Sequence, residues 1–158
     1  MIQIVPLSNH LEFIDELAAL HYKEWRHFSP ESTVADQKQS LMDSAKESGI
    51  PSLYIAIEGG ELLGSAALVE SDLDERFAHM GPWLAAVYVK EQARGRGLAS
   101  LLVQHCEEEA SRLGLSPLYL STEHAGPLYE KLGWIKLQDC NYKGYPLDVM
   151  QKDLSDAC

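Results

Sequence analysis

The chain has 158 residues, with 24 acidic against 13 basic side chains and a formal net charge of −11. That length suits one domain, residues 1-158, with a single substantial core. The acidic balance disfavours nucleic acid or an anionic membrane as a partner and weakly favours a cationic substrate, although excess carboxylates serve solubility equally well.

In chain order, residues 2-7 read as a short first strand, and Asn9 followed by Glu12 forms a capping-box pattern opening a helix. That helix carries Leu11, Ile14, Leu17, Ala18, His21, Tyr22 and Trp25 on one face, and Pro30 interrupts it. Thr33 with Asp36 restarts a second helix, expected to run to Gly49-Ile50-Pro51. Two strand-like runs, residues 53-57 and 62-69, flank Glu58-Gly59-Gly60-Glu61 and predict a hairpin. Residues 70-82 form a charged, turn-rich loop, and residues 83-89 are apolar almost throughout, as a central strand is.

A long helix follows, with Leu98, Leu101, Leu102, Cys106, Ala110 and Leu113 at helical spacing and Gly114 as its stop. Residues 116-121 read as a strand, 126-132 as a short helix ended by Gly133, 134-137 as a strand and 146-152 as the last strand. The order β-α-α-β-β-β-α-β-α-β-β, with helical crossovers between parallel strands, predicts an α/β fold with a mixed central sheet flanked by helices.

Cys106, Cys140 and Cys158 are widely spread, which suits neither a disulfide framework nor a metal-binding pair and points to a reducing, cytoplasmic compartment. The six histidines show no paired ligand spacing, so no metal site is expected. Met1 is followed by no basic n-region before a long apolar run, and no segment is long and apolar enough to span a membrane.

Between the strand ending at Val87-Tyr88-Val89 and the long helix lies Lys90-Glu91-Gln92-Ala93-Arg94-Gly95-Arg96-Gly97. Glycine admits positive φ and lets bare N–H groups approach a ligand, while the unpaired N–H groups of a first helical turn attract phosphate. A Walker pattern and a three-glycine dinucleotide fingerprint are both absent. Gln92-Ala93-Arg94-Gly95-Arg96-Gly97 resembles motif A of the GNAT superfamily of N-acetyltransferases, Gln/Arg-x-x-Gly-x-Gly/Ala. Downstream, Leu128-Tyr129-Glu130-Lys131-Leu132-Gly133-Trp134 is similar to the family's motif B, and the element order is also that of the family.

The resemblance implies direct transfer of an acetyl group from acetyl-CoA, the co-substrate, to a primary amine, a small-molecule amine being slightly preferred over a protein N-terminus. It places the pyrophosphate on Gln92, Ala93, Arg94, Gly95, Arg96, Gly97, Leu98, Ala99 and Ser100, and the thioester and pantetheine on the backbone of Val87, Tyr88 and Val89. Those strand groups answer the need for a fixed N–H facing the carbonyl oxygen as it gains charge. His124 stands where the family commonly has a CoA-contacting asparagine, and Tyr129 matches the family's general acid for the departing thiolate.

The attacking amine must lose a proton, yet residues 83-89 hold none of the carboxylates that many members place on this strand. Glu70, Asp72, Asp74, Glu75, Glu24 and a water chain are the candidate bases. Trp25, His27, Phe28, Tyr142 and Tyr145 are candidates for an aromatic acceptor wall or for ordinary packing. A CoA-binding sensor without turnover is the alternative reading, and homodimerisation is common in the family.

Overall fold

The computed structural model describes residues 1–154, and Cys158 lies outside them. Among these residues seven strands and four α-helices follow in the order β1 (Gln3–Pro6), α1 (Ile14–Trp25), α2 (Val34–Asp43), β2 (Ser52–Glu58), β3 (Glu61–Val69), β4 (Trp83–Val89), α3 (Leu98–Arg112), β5 (Leu118–Thr122), α4 (Gly126–Lys131), β6 (Ile135–Tyr142) and β7 (Tyr145–Lys152). They form one mixed sheet in the order β1-β2-β3-β4-β5-β7-β6. Among the described residues only the β4–β5 pairing is parallel.

The two faces of the sheet carry separate apolar layers. On one side Ile14, Leu17 and Ala18 of α1 and Leu41 of α2 pack on Leu53, Ile55 and Ala67. On the other, Leu98, Leu102, Val103, Cys106 and Ala110 of α3 pack on Leu63, Ala66, Leu84 and Leu120. Leu101, expected on the buried stripe of α3, is 43% exposed, and Val103 takes its place. Strands β2 and β3 are buried on both faces, which accounts for their nearly unbroken apolar sequence.

Local signals succeed unevenly. Thr33 and Asp36 form the expected capping box, each side chain bonded to the other residue's N–H at 3.2 and 2.9 Å. Asn9 and Glu12 do not. Residues 7-13 instead coil into two 3₁₀ turns around the fully buried Leu7, and α1 starts at Ile14 without a side-chain cap. The second helix stops at Asp43 rather than near Gly49, because the chain turns away toward α3, where the Gly49 N–H meets the Glu109 carboxylate at 3.4 Å. The strand expected over 134-137 continues to Tyr142, since Lys143 (φ 52°) and Gly144 (φ 88°) supply the two positive-φ residues of a tight hairpin turn into β7.

Candidate functional site

Strands β4 and β5 meet at a single register pair, Trp83 with Tyr119, and then diverge. A cavity of about 510 Å³ opens where they part, bounded by Ala85, Ala86 and Val87 on one strand and Leu120, Ser121 and Thr122 on the other. Helix α1 covers it with His21, Glu24 and Trp25, and α4 contributes Tyr129. The site is thus made by an interrupted sheet.

The edge of β4 is shaped by a bulge. Ser65 pairs with Tyr88 and Ala67 with Ala85, so Ala86 and Val87 both face the single position Ala66. Ala86 adopts φ 53°, a conformation L-residues avoid at a cost of roughly 1–2 kcal/mol. The hydroxyl of Ser65, fully buried, donates to the Ala86 carbonyl at 2.8 Å. A trans peptide points its C=O and the following N–H in opposite directions, so the Val87 N–H is turned away from β3. That direction is toward the gap. Tyr88 sends its side chain the other way, against the rings of His21 and Trp25, each 6.2 Å away by centroid. Val87 and Val89 pack partly into the α3 layer.

Beyond β4 the chain makes a 3₁₀ turn over Glu91–Ala93 and enters α3 through Gly95 (φ 83°) and Gly97 (φ 76°). Gly97 is the N-cap of α3 and no side chain caps that end, so the N–H groups of Leu98, Ala99 and Ser100 are available to an anion. Ala93 and Leu98 bury their side chains, and Gln92 is exposed. Arg94 is drawn back onto the strand, its Nε donating to the Val89 carbonyl at 3.0 Å. Arg96 reaches Glu58 at 3.0 and 3.1 Å, tying the turn to the β2–β3 hairpin. The turn therefore offers mainly backbone.

Tyr129 is 5% exposed and lines the cavity, with no hydrogen-bond partner for its hydroxyl among the described residues. Burial pushes its pKa up to about 12, so the phenol keeps its proton at neutral pH. Trp134 meets its ring edge-on at 6.2 Å. His124 sits on the rim with its side chain 89% exposed, its Nε2 3.9 Å from Glu123.

Of the acids proposed as bases, Glu24 and Asp72 line the cavity, and Glu70, Asp74 and Glu75 do not. Asp74 is occupied by Arg76, at 2.8 and 3.0 Å. Burial raises the pKa of Asp72, opposed by the Leu73 N–H that bonds its carboxylate at 2.9 Å. Glu123 is a third lining carboxylate, held by His27 at 2.8 Å. Phe28 contacts Tyr142 and Tyr145 at centroid distances of 5.6 and 5.3 Å, and His27 meets Tyr145 at 4.8 Å. Four of the five candidate aromatic side chains therefore form one cluster, whereas Trp25 packs on His21 at 4.9 Å.

One feature carries no motif in the sequence. His21, 3% exposed, places Nε2 2.9 Å from the Ser65 hydroxyl that bonds the bulge. Its only advance sign is a histidine inside the apolar stripe of α1. Burial lowers its pKa to about 4, leaving the ring neutral at pH 7. Among the described residues no group of three or more His, Cys, Asp or Glu side chains could hold a metal ion, and no helix is long and apolar enough to cross a membrane.

An aminoglycoside 6'-N-acetyltransferase crystallised with coenzyme A superposes with a TM-score of 0.75 at 20% identity, covering 98% of this chain and 97% of that one. A ribosomal-protein-alanine N-acetyltransferase from Brucella melitensis gives a TM-score of 0.74 at 19% identity, over 97% and 99% of the two chains. An aminoglycoside 6'-N-acetyltransferase from Enterococcus faecium gives 0.73 at 19% identity, over 98% and 97%. At these identities the likeness shows a shared fold. No curated protein matches the sequence. The sequence profile of the acetyltransferase (GNAT) family matches residues 14–134, and by that match the chain belongs to the GNAT acetyltransferases.

Proposed function

We propose that this acetyltransferase moves the acetyl group of acetyl-CoA to a primary amine on a small cationic molecule, by direct attack within the cavity between β4 and β5. The observation that carries the acceptor assignment is the cavity's makeup. Glu24, Asp72 and Glu123 line it together with Trp25, Phe28 and Tyr142, a combination that attracts an ammonium group and packs against its carbon frame. Its volume of about 510 Å³ suits a small molecule. The aminoglycoside acetyltransferases among the structural neighbours agree with that class of acceptor.

In this reading the backbone of Gln92 to Ser100 cradles the pyrophosphate, with Gly95 and Gly97 keeping it clear of side chains. The backbone of Val87, Tyr88 and Val89 pairs with the pantetheine arm in the open β4 edge, and the Val87 N–H faces the carbonyl oxygen as it gains charge. Tyr129 gives its proton to the departing thiolate, and His124 closes over the pantetheine from the rim.

The test is thiol release from acetyl-CoA across polyamines, aminoglycosides, amino acids and peptide N-termini. Turnover with polyamines or aminoglycosides supports the reading. Turnover confined to peptide N-termini replaces the acceptor with a protein, and acetyl-CoA binding without thiol release in any sample overturns it.

A further inference from the structure

We propose that His21 is the proton acceptor for the attacking amine, through Nδ1, and that Ser65 selects this nitrogen; the inference rests on the acetyl-transfer reading above. Ser65 Oγ lies 2.8 Å from the Ala86 carbonyl and 2.9 Å from His21 Nε2. A carbonyl only accepts, so the hydroxyl's single proton is given to Ala86. Nε2 must then carry a proton and donate to Oγ. In a neutral imidazole this leaves the lone pair on Nδ1.

Nδ1 has no hydrogen-bond partner among the described residues. It is not sealed in the protein, as the orphaned hydroxyls of Ser8, Ser52 and Tyr54 are, and the ring lines the cavity. Edge contacts with Trp25 at 4.9 Å and Tyr88 at 6.2 Å fix the ring plane. An acceptor oriented by a second group, beside a reaction cavity, is the arrangement that general-base chemistry requires. Strand β4 supplies no carboxylate for that task.

Ser65 also joins the base to the rest of the site. The carbonyl it holds belongs to the peptide whose N–H is Val87, so one buried hydroxyl sets both the free nitrogen of His21 and the direction of the oxyanion donor. Glu24, Asp72 and Glu123 remain to hold the positive charge of the acceptor.

An acceptor arriving as an ammonium first loses one proton to solvent. The amine nitrogen then bonds the acetyl carbon and becomes positively charged. A nitrogen in that state is a much stronger acid than a free ammonium, so a weakly basic imidazole suffices to remove its proton. Nδ1 takes it, the C–S bond breaks, and the sulfur leaves with the Tyr129 proton. Loss of the imidazolium proton to solvent and recovery of one by the phenolate restore the protein, with a net release of one proton per ammonium acetylated.

The test uses His21→Gln, whose amide nitrogen replaces Nε2 as donor to Ser65 while removing the Nδ1 acceptor. Single-turnover thiol release is measured with kanamycin and with spermidine, and acetyl-CoA affinity by calorimetry. The expected result is a fall in rate of roughly 100-fold or more with affinity within threefold of wild type. Ser65→Ala should slow transfer less, and Ser65→Thr should restore it. A His21→Gln rate above a third of wild type overturns the proposal, as does a rate loss that comes with lost acetyl-CoA binding. If the wild type releases no thiol with either amine, the small cationic acceptor is what fails. The ¹⁵N spectrum of His21 at pH 7 then decides the tautomer independently: a protonated Nε2 supports the assignment and a protonated Nδ1 overturns it.

Discussion

Ser65 bonds the carbonyl of Ala86 at 2.8 Å across the point where β4 carries one residue more than β3. The bond satisfies an acceptor that the bulge removes from the ladder, and it stabilises a residue held at φ 53°. Ser65→Ala leaves that carbonyl short of a donor in a fully buried setting, a loss of about 1–3 kcal/mol. Urea denaturation should show it as a lower midpoint with an unchanged slope. An unshifted midpoint would mean the bulge stands without the serine.

Gly95 and Gly97 admit a second prediction, because a Cβ added at either meets no atom within 4 Å. Space is therefore available and conformation is the only obstacle, at roughly 1–2 kcal/mol for each residue forced to positive φ. The double change to valine should relax the turn, misalign the first N–H groups of α3 and abolish acetyl-CoA binding by calorimetry, while the circular dichroism of the fold persists. Retained affinity would remove the pyrophosphate from this turn.

Tyr129 carries the third. Its hydroxyl has no protein partner among the described residues, so Tyr129→Phe should change stability little. Single-turnover acetyl transfer should slow by about tenfold or more with acetyl-CoA affinity preserved. Since burial raises the phenol to about 12, no alkaline limb in the rate below about pH 11 should belong to it. An unchanged transfer rate would take Tyr129 off the list of groups that meet the sulfur.

How far the site was legible depends on whether a feature is local. The turn at Gln92 to Gly97, the run Leu128 to Trp134 and the capping box of Thr33 and Asp36 lie within a few residues and can be read directly. The contact of His21 with Ser65 joins residues 44 apart and leaves no spacing to read. A histidine among leucines and alanines on a buried helix face was its only trace. Carboxylates beside β4 and Glu24 on α1 are the bases the sequence offers, whereas the fold brings the imidazole of His21 on α1 to Ser65 beside β4. Asn9 and Glu12 failed as a cap for the same reason in reverse: a local pattern was overridden by burial of Leu7.

Burial of His21 also predicts how stability changes with pH. An unfolded histidine titrates at about 6.5, while in the fold the ring is held to about 4. Between these values the unfolded chain binds a proton that the native state refuses. Stability is therefore fully present above about pH 6.5 and declines as pH falls toward 4, by roughly 3 kcal/mol from this group. Ser65, Trp25 and Tyr88 face the ring, and no carboxylate offsets its burial. Denaturation at pH 7.5 and 4.5 should show His21→Gln losing about 2–3 kcal/mol less than wild type over that interval. Equal losses would mean His21 charges freely in the fold.

Glu107 supplies the last prediction, because it ties motif B to α3 and β7. Its two oxygens accept from Trp134 Nε1 at 3.0 Å and from Lys152 Nζ at 2.7 Å, and Lys152 also bonds the Leu132 carbonyl at 2.7 Å. The Glu107 side chain is 11% exposed and that of Lys152 22%, so the pair is only partly screened. Glu107→Ala strands an indole N–H and takes the counter-charge from the Lys152 ammonium, which costs about 2–3 kcal/mol and lowers the melting temperature by roughly 5–10 °C. Glu107→Gln keeps one acceptor and should lose about half as much. Because Trp134 packs on Tyr129 at 6.2 Å, the alanine variant should also slow acetyl transfer while acetyl-CoA affinity holds. Loss of affinity without loss of rate would place Glu107 with the pyrophosphate turn instead of with Tyr129.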